Sequence, residues 1–209
     1  MDACISQNAC ADRSEPAIEL VDAPRLAQLL FDDGLSNFRP AARQKARLLE
    51  LRASSPGAMA VARKDETAVG YFILCTPDKE EYWGAYEGHN LLEASLEVSP
   101  RWRGRGLAMA LARRLAEEDW EDYILIASCC YWNWDLRRTG LNAYAYRRVL
   151  QKIFSLLGLI PYPTVEPDVR SHPANIFLLR LGSRVTAPAR EAFLALCLGK
   201  APCLNHPPD

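Results

Sequence analysis

The chain has 209 residues, of which 49% are hydrophobic and 24% charged, with a formal net charge of −1. That length suits one domain with short appendages, and the near-neutral balance removes the electrostatic case for a nucleic-acid binder. No apolar run reaches the roughly 20 residues of a bilayer span, and the start MDACISQNACADRSEP lacks the basic-then-apolar plan of a secretory signal.

In chain order, residues 1–20 read as a flexible arm, 21–199 as a single domain and 200–209 as a tail. PRLAQLLFDDG and PAARQKARLLELRA carry helical spacing, separated by Gly34 and closed by SSPG. AMAVAR and AVGYFILCT flank KDET as a β-hairpin. PDKEEYWGAYEGHN is a polar and aromatic loop. LLEASLEV alternates, with Glu93, Ser95 and Glu97 on one face and Ala94, Leu96 and Val98 on the other. A helix runs from Gly104 to Glu118, with Leu107, Leu111 and Leu115 at i, i+4 and i+8. DYILIAS is a buried strand, YRRVLQKIFSLLG an amphipathic helix that Gly158 closes, NIFLLRLG a strand, and PAREAFLALCLGK a last helix. This order predicts a mixed α/β (α+β) fold with one central sheet flanked by helices.

The seven cysteines are an odd number without paired metal-type spacing, and read as reduced thiols of a cytoplasmic protein. The neighbours Cys129 and Cys130 could bridge only with strain. His89, His172 and His206 form no ligand set, so no metal is expected.

The stretch SPRWRGRGLAMALARRL joins a strand end, an Arg/Gly turn and a helix start. Unpaired N–H groups at the helix start, glycines that admit a close ligand, and Arg101, Arg103 and Arg105 make an anion site suited to phosphate. Neither a Walker loop nor a dinucleotide fingerprint is present, since Met109 stands where the third glycine belongs. On these residues alone, a tight turn on a solvated helix start is an equal reading.

Arg101-Trp-Arg-Gly104-Arg-Gly106 resembles the R/Q-x-x-G-x-G/A signature of the GNAT superfamily of acetyltransferases. YWNWDLRRTG and SHPAN are similar to segments of the acetoin-utilization acetyltransferases (AcuA), over roughly residues 30–185. The resemblance implies the GNAT fold, with a mixed, mostly antiparallel sheet, and acetyl-CoA as co-substrate. Its donor contacts would fall on Leu96, Val98, Arg101, Trp102, Arg103, Gly104, Arg105, Gly106, Leu107 and Ala108. It implies transfer to a protein lysine of AMP-forming acetyl-CoA synthetase, which inactivates that enzyme. The alternatives are a small-amine acetyltransferase and a non-catalytic acyl-CoA sensor.

Acetyl transfer needs a neutral amine, hence a base, because a free lysine has a pKa of about 10.4. Glu97 is the first candidate and Glu93 the second; either could instead be a solvated strand-face carboxylate. Phe154 occupies the position where the superfamily often has an acidic tyrosine, so Tyr146 becomes the candidate acid, with Tyr131 behind it. Cys129 or Cys130 as nucleophile is a weaker route, because buried thiols are usually inert. Trp132, Trp134 and His172 are candidate substrate contacts, with Asp135 beside them, and Tyr82, Trp83 and Tyr86 a candidate docking rim. For each, packing within the domain is the competing reading.

Overall fold

A computed structural model describes residues 15–88 and 90–200. The strands are β1 (Ala17–Leu20), β2 (Leu30–Phe31), β3 (Met59–Lys64), β4 (Thr67–Cys75), β5 (Leu91–Val98), β6 (Ile124–Cys129), β7 (Ile160–Pro161) and β8 (Ile176–Leu181). The helices are α1 (Ala23–Gln28), α2 (Ala41–Ser54), α3 (Leu107–Ala116), α4 (Leu136–Thr139), α5 (Ala143–Phe154), α6 (Pro167–Arg170) and α7 (Ala187–Cys197). One sheet runs β1-β3-β4-β5-β6-β8-β7, with β2 added beside β4. Only β2–β4 and β5–β6 pair in parallel among these; the rest are antiparallel. The sheet is mixed, mostly antiparallel and flanked by helices, as the sequence predicts.

Ala17–Leu20 pairs with β3, so the last four residues given to the arm belong to the sheet. Their apolar positions Ile18 and Leu20 pack on the core, a contribution that the short polar neighbourhood conceals. Residues 1–14 and 201–209 lie outside the described residues. The single helix read over PRLAQLLFDDG divides into α1 and β2, because Leu30 and Phe31 find a parallel partner in Thr67 and Ala68.

The two faces of the sheet have different coverings. On one, α3 and α5 bury Phe72, Leu74, Ala94 and Val98 with Leu111, Leu115 and Ile153. On the other, α1 and α2 cover Met59, Val61, Tyr71 and Ile73. The second face continues across β6 and β8, where α7 and the 77–88 loop cover Ile124, Ile126 and Phe177. Helix starts follow sequence signals: Asn142 caps α5 by accepting from the Ala145 N–H at 2.8 Å, and Thr186 caps α7. Gly158 ends the α5 segment at φ 77°.

The parallel pair β5–β6 positions the site. Leu91, Leu92 and Glu93 pair with Ile124, Leu125 and Ile126, and the pairing goes no further. Beyond Glu93 the two strands diverge, while β5 stays paired to β4 out to Val98. The divergence opens a gap through the sheet that joins its two faces.

Candidate active site

A cleft of about 1290 Å³ occupies this gap. On the α3/α5 face it is lined by Val98, Trp102, Arg103, Gly104, Gly106–Met109, Trp134, Tyr146 and Phe154. On the opposite face it is lined by Asn37, Phe38, Arg39, Gln44, Cys75, Asp78, Glu81, Glu93, Glu97, Glu166 and Asp168.

The turn between β5 and α3 supplies the first end. Gly104 and Gly106 take φ of 76° and 78°, left-handed values that a side chain resists. A Cβ at either would meet nothing within 4 Å, so both face open space. Gly106 starts α3 with no side chain capping it, which leaves the N–H groups of the first turn available. The Trp102 indole N–H is buried on the same wall without a partner. These donors suit a bound polyphosphate such as that of acetyl-CoA.

The three arginines part company. Arg103 stays at the cleft, donating to the Val98 carbonyl at 2.9 Å and pairing with Asp135, the N-cap of α4. Arg101 does not line it: its guanidinium pairs with buried Asp32, which also accepts from the Ser99 hydroxyl and the Gly34 N–H. Arg105 lies over the Trp102 ring, 4.9 Å from its centroid. Of the expected donor contacts, Leu96, Val98, Trp102, Arg103, Gly104, Gly106, Leu107 and Ala108 line the cleft.

The second end is acidic. Glu97 is 4% exposed; its Oε1 accepts from the Asn37 N–H at 2.7 Å and its Oε2 from the Tyr71 hydroxyl at 3.1 Å. Burial raises its pKa above the ordinary carboxylate value, against those two donors and the Arg103 charge. Glu93 keeps part of its surface open to the cleft. Burial, with the Glu81, Glu166 and Asp78 carboxylates, pushes it up to about 8, against a hydrogen bond from the Ser128 N–H.

Tyr146 reaches the cleft from α5, stacked on Trp134 at 5.3 Å and 13°. Its phenol is raised by burial, and the Asp135 N–H donates to its oxygen. Phe154 packs edge-on against Phe72. Trp132 is 49% exposed at the mouth.

His172 does not line the cleft: its ring lies against Tyr131 and its Nδ1 accepts from the Ala174 N–H at 3.1 Å. Of the candidate docking rim, Tyr82 and Trp83 do line the cleft, but both are tied into the domain, and Tyr86 packs edge-on against Phe193. Trp83 is 3% exposed, stacks on Phe177 and donates to the Ser128 hydroxyl, while Tyr82 donates to the Leu196 carbonyl. The apolar floor of β6 and β8 needs a cover, and these rings provide it. Cys129 and Cys130 are buried free thiols, and burial pushes Cys130 up to about 12, which disfavours a thiolate nucleophile. Among the described residues, no group of three His, Cys, Asp or Glu side chains is placed to hold a metal ion. None of their helices is long and apolar enough to cross a membrane.

Residues 24–133 match the family model described as "Acetyltransferase (GNAT) family". Acetoin utilization protein AcuA of Bacillus licheniformis is 33% identical over 187 residues, covering 87% of this chain and 89% of that protein. The chain belongs to the GNAT acetyltransferase family. It is therefore an acetyl-CoA-dependent acyltransferase. The crystal structure of an acetoin utilization protein from Exiguobacterium sibiricum has a TM-score of 0.82 at 32% identity, covering 87% of this chain and 89% of that one. The fold extends to yncA of Salmonella typhimurium, solved with its cofactor acetyl-CoA, at a TM-score of 0.50 and 16% identity, with 83% and 97% covered.

Asn37, Gln44, Tyr71, Glu81 and Ser128 are site residues that the sequence reading does not single out. Tyr71 pairs with Glu97 across β4 and β5, strands joined by the long 76–90 connection, so no turn in the sequence signals that register.

Proposed function

We propose that this protein is a cytoplasmic protein lysine N-acetyltransferase of acetoin utilization, acting on AMP-forming acetyl-CoA synthetase. The passage through the sheet carries the reading. Phosphate-type donors stand at one end, carboxylates stand at the other, and the diverging strands lie between. The AcuA name of its relatives supports the metabolic setting. The exposed rings of Phe38 and Trp132 at the acidic mouth suit the stem of a lysine presented by a larger protein.

Acetyl-CoA, when bound, supplies an acyl group activated as a thioester. The β5 edge beyond Glu93 has no partner in β6, so backbone N–H groups near Leu96–Val98 are free to meet the acyl oxygen where charge grows. Glu93 accepts the proton of the acceptor ammonium, leaving a neutral nitrogen to attack. The N–C bond forms and the C–S bond breaks; the Tyr146 hydroxyl on the cleft wall donates its proton to the departing sulfur, and the second proton that the nitrogen sheds in becoming an amide restores the phenol. This reading takes the two glutamates in the opposite order from the sequence expectation, because Glu97 is enclosed by two donors, whereas Glu93 keeps part of its surface open to the cleft with a pKa near working pH.

The test is mass spectrometry of purified acetyl-CoA synthetase after incubation with this protein and acetyl-CoA. One synthetase lysine is expected to gain the mass of an acetyl group with the natural protein, and not with Gly104→Glu or Glu93→Gln. An unmodified synthetase, with acetyl-CoA still bound, rejects this acceptor and directs the search to small amines.

A further inference from the structure

Glu97 is the end of a directed hydrogen-bond chain buried beneath α2. Arg39 Nη1 donates to Gln44 Oε1 at 3.1 Å. That contact fixes the amide's orientation, because a guanidinium can only donate. Gln44 Nε2 therefore faces Tyr71 and donates to its hydroxyl oxygen at 2.7 Å. With that oxygen already accepting, the Tyr71 hydrogen is directed at Glu97 Oε2, 3.1 Å away. The Asn37 N–H holds the other carboxylate oxygen. Tyr71 is fully buried and Gln44 is 3% exposed, so water does not replace either link.

We propose that Tyr71 is a positioning residue, directed by Gln44 and Arg39, that keeps Glu97 a fixed anion for steering the acceptor ammonium while Glu93 takes its proton. The inference rests on the reading of the acidic end as the acceptor side. Two carboxylates on one strand face then have separate tasks set by their surroundings. Burial pushes the Glu97 pKa up; its two fixed donors oppose that push and favour the charged form, and its strand register cannot move without breaking the Tyr71 pairing. Glu93 has like charges around it and one N–H donor, which suits a group that must bind and release a proton. The other groups acting on Glu97 are the Ser36 N–H from the loop before α2 and the Arg103 guanidinium from the turn after β5. Tyr71 itself stays protonated because burial and the Glu97 charge both oppose its ionisation.

The experiment pairs two readouts on Tyr71→Phe and Gln44→Met, with circular-dichroism melts to confirm folding. The first is carbon-detected NMR titration of the Glu97 carboxyl, assigned by its loss in Glu97→Gln. The second is the KM and kcat of acetyl transfer against pH. We expect the Glu97 midpoint to move to higher pH in both variants. For Tyr71→Phe the acceptor KM near neutral pH should rise about tenfold, the weight of one hydrogen bond to a charged group, with kcat changed far less. Folded variants with an unmoved Glu97 midpoint overturn the proposal, as does a loss confined to kcat. If Tyr71→Phe does not fold, Gln44→Met decides, since it leaves the phenol in place and removes only its direction. A midpoint that moves while the synthetase goes unmodified supports the hydrogen-bond chain and counts against the acceptor alone.

Discussion

At the scale of single residues, the pKa of Glu93 sets a sign that can be measured. The base must be ionised to act, so kcat/KM should fall as pH drops below about 8. Glu81 repels the charged form, so Glu81→Gln should move that limb to lower pH. Glu93→Gln should cost on the order of 10²–10⁴ in kcat, read in steady-state assays. Gly104 gives a second test. Its Cβ would meet open space, so Gly104→Ala lowers fold stability through the left-handed φ, by about 1–2 kcal/mol. A side chain there also intrudes on the phosphate seat, so the KM for acetyl-CoA should rise.

The loop between β2 and α2 is the element that ties the two ends of the site together. Asp32 anchors its start to Ser99 and Arg101 on the turn after β5. Asn37 reaches further on, its N–H to Glu97 and its Nδ2 to the Asn133 carbonyl at 2.7 Å, across the diverging strands. Asp32 is 5% exposed; burial alone would raise its pKa, but the Gly34, Ser99 and Arg101 donors outweigh it and lower the net value. Its stabilising effect is therefore complete above the ordinary aspartate pKa and is lost as pH falls through the lowered folded value. Asp32→Asn should destabilise the fold by about 1–3 kcal/mol at neutral pH. In urea titrations the difference from the natural protein should shrink in acid. The sequence showed the arginines of this turn but not their division of labour. Arg101 and Arg103 differ by which distant carboxylate they meet, Asp32 or Asp135, and that is a matter of chain crossing.

The whole molecule is a sheet with a gap, and the ligand completes what the strands leave unpaired. Saturating acetyl-CoA at about 100 times its Kd should stabilise the fold by roughly 2.7 kcal/mol, or about 5–10 °C in Tm. Gly106→Asp should abolish that shift by setting a negative charge at the uncapped start of α3. Differential scanning calorimetry with and without the ligand reads both outcomes.

The sequence by itself determined whatever depends on local periodicity and short motifs. It displayed the β3–β4 hairpin, the alternation of β5, the glycine turn into α3, the amphipathic α5 and the resemblance that goes with them. It showed Glu93, Ser95 and Glu97 on one face, because a strand's period of two is a local property. Only the tertiary structure decided how those carboxylates differ. One lies under a tyrosine and a loop N–H, and the other among acids from the 77–88 loop and the N-cap of α6. It also stacked Trp83 on Phe177, set His172 against Tyr131 away from the cleft, and drew Ala17–Leu20 into the sheet. Each of these outcomes depends on a partner far away in the chain, and sequence spacing carries no information about which distant residue will supply the missing hydrogen bond or the missing apolar cover.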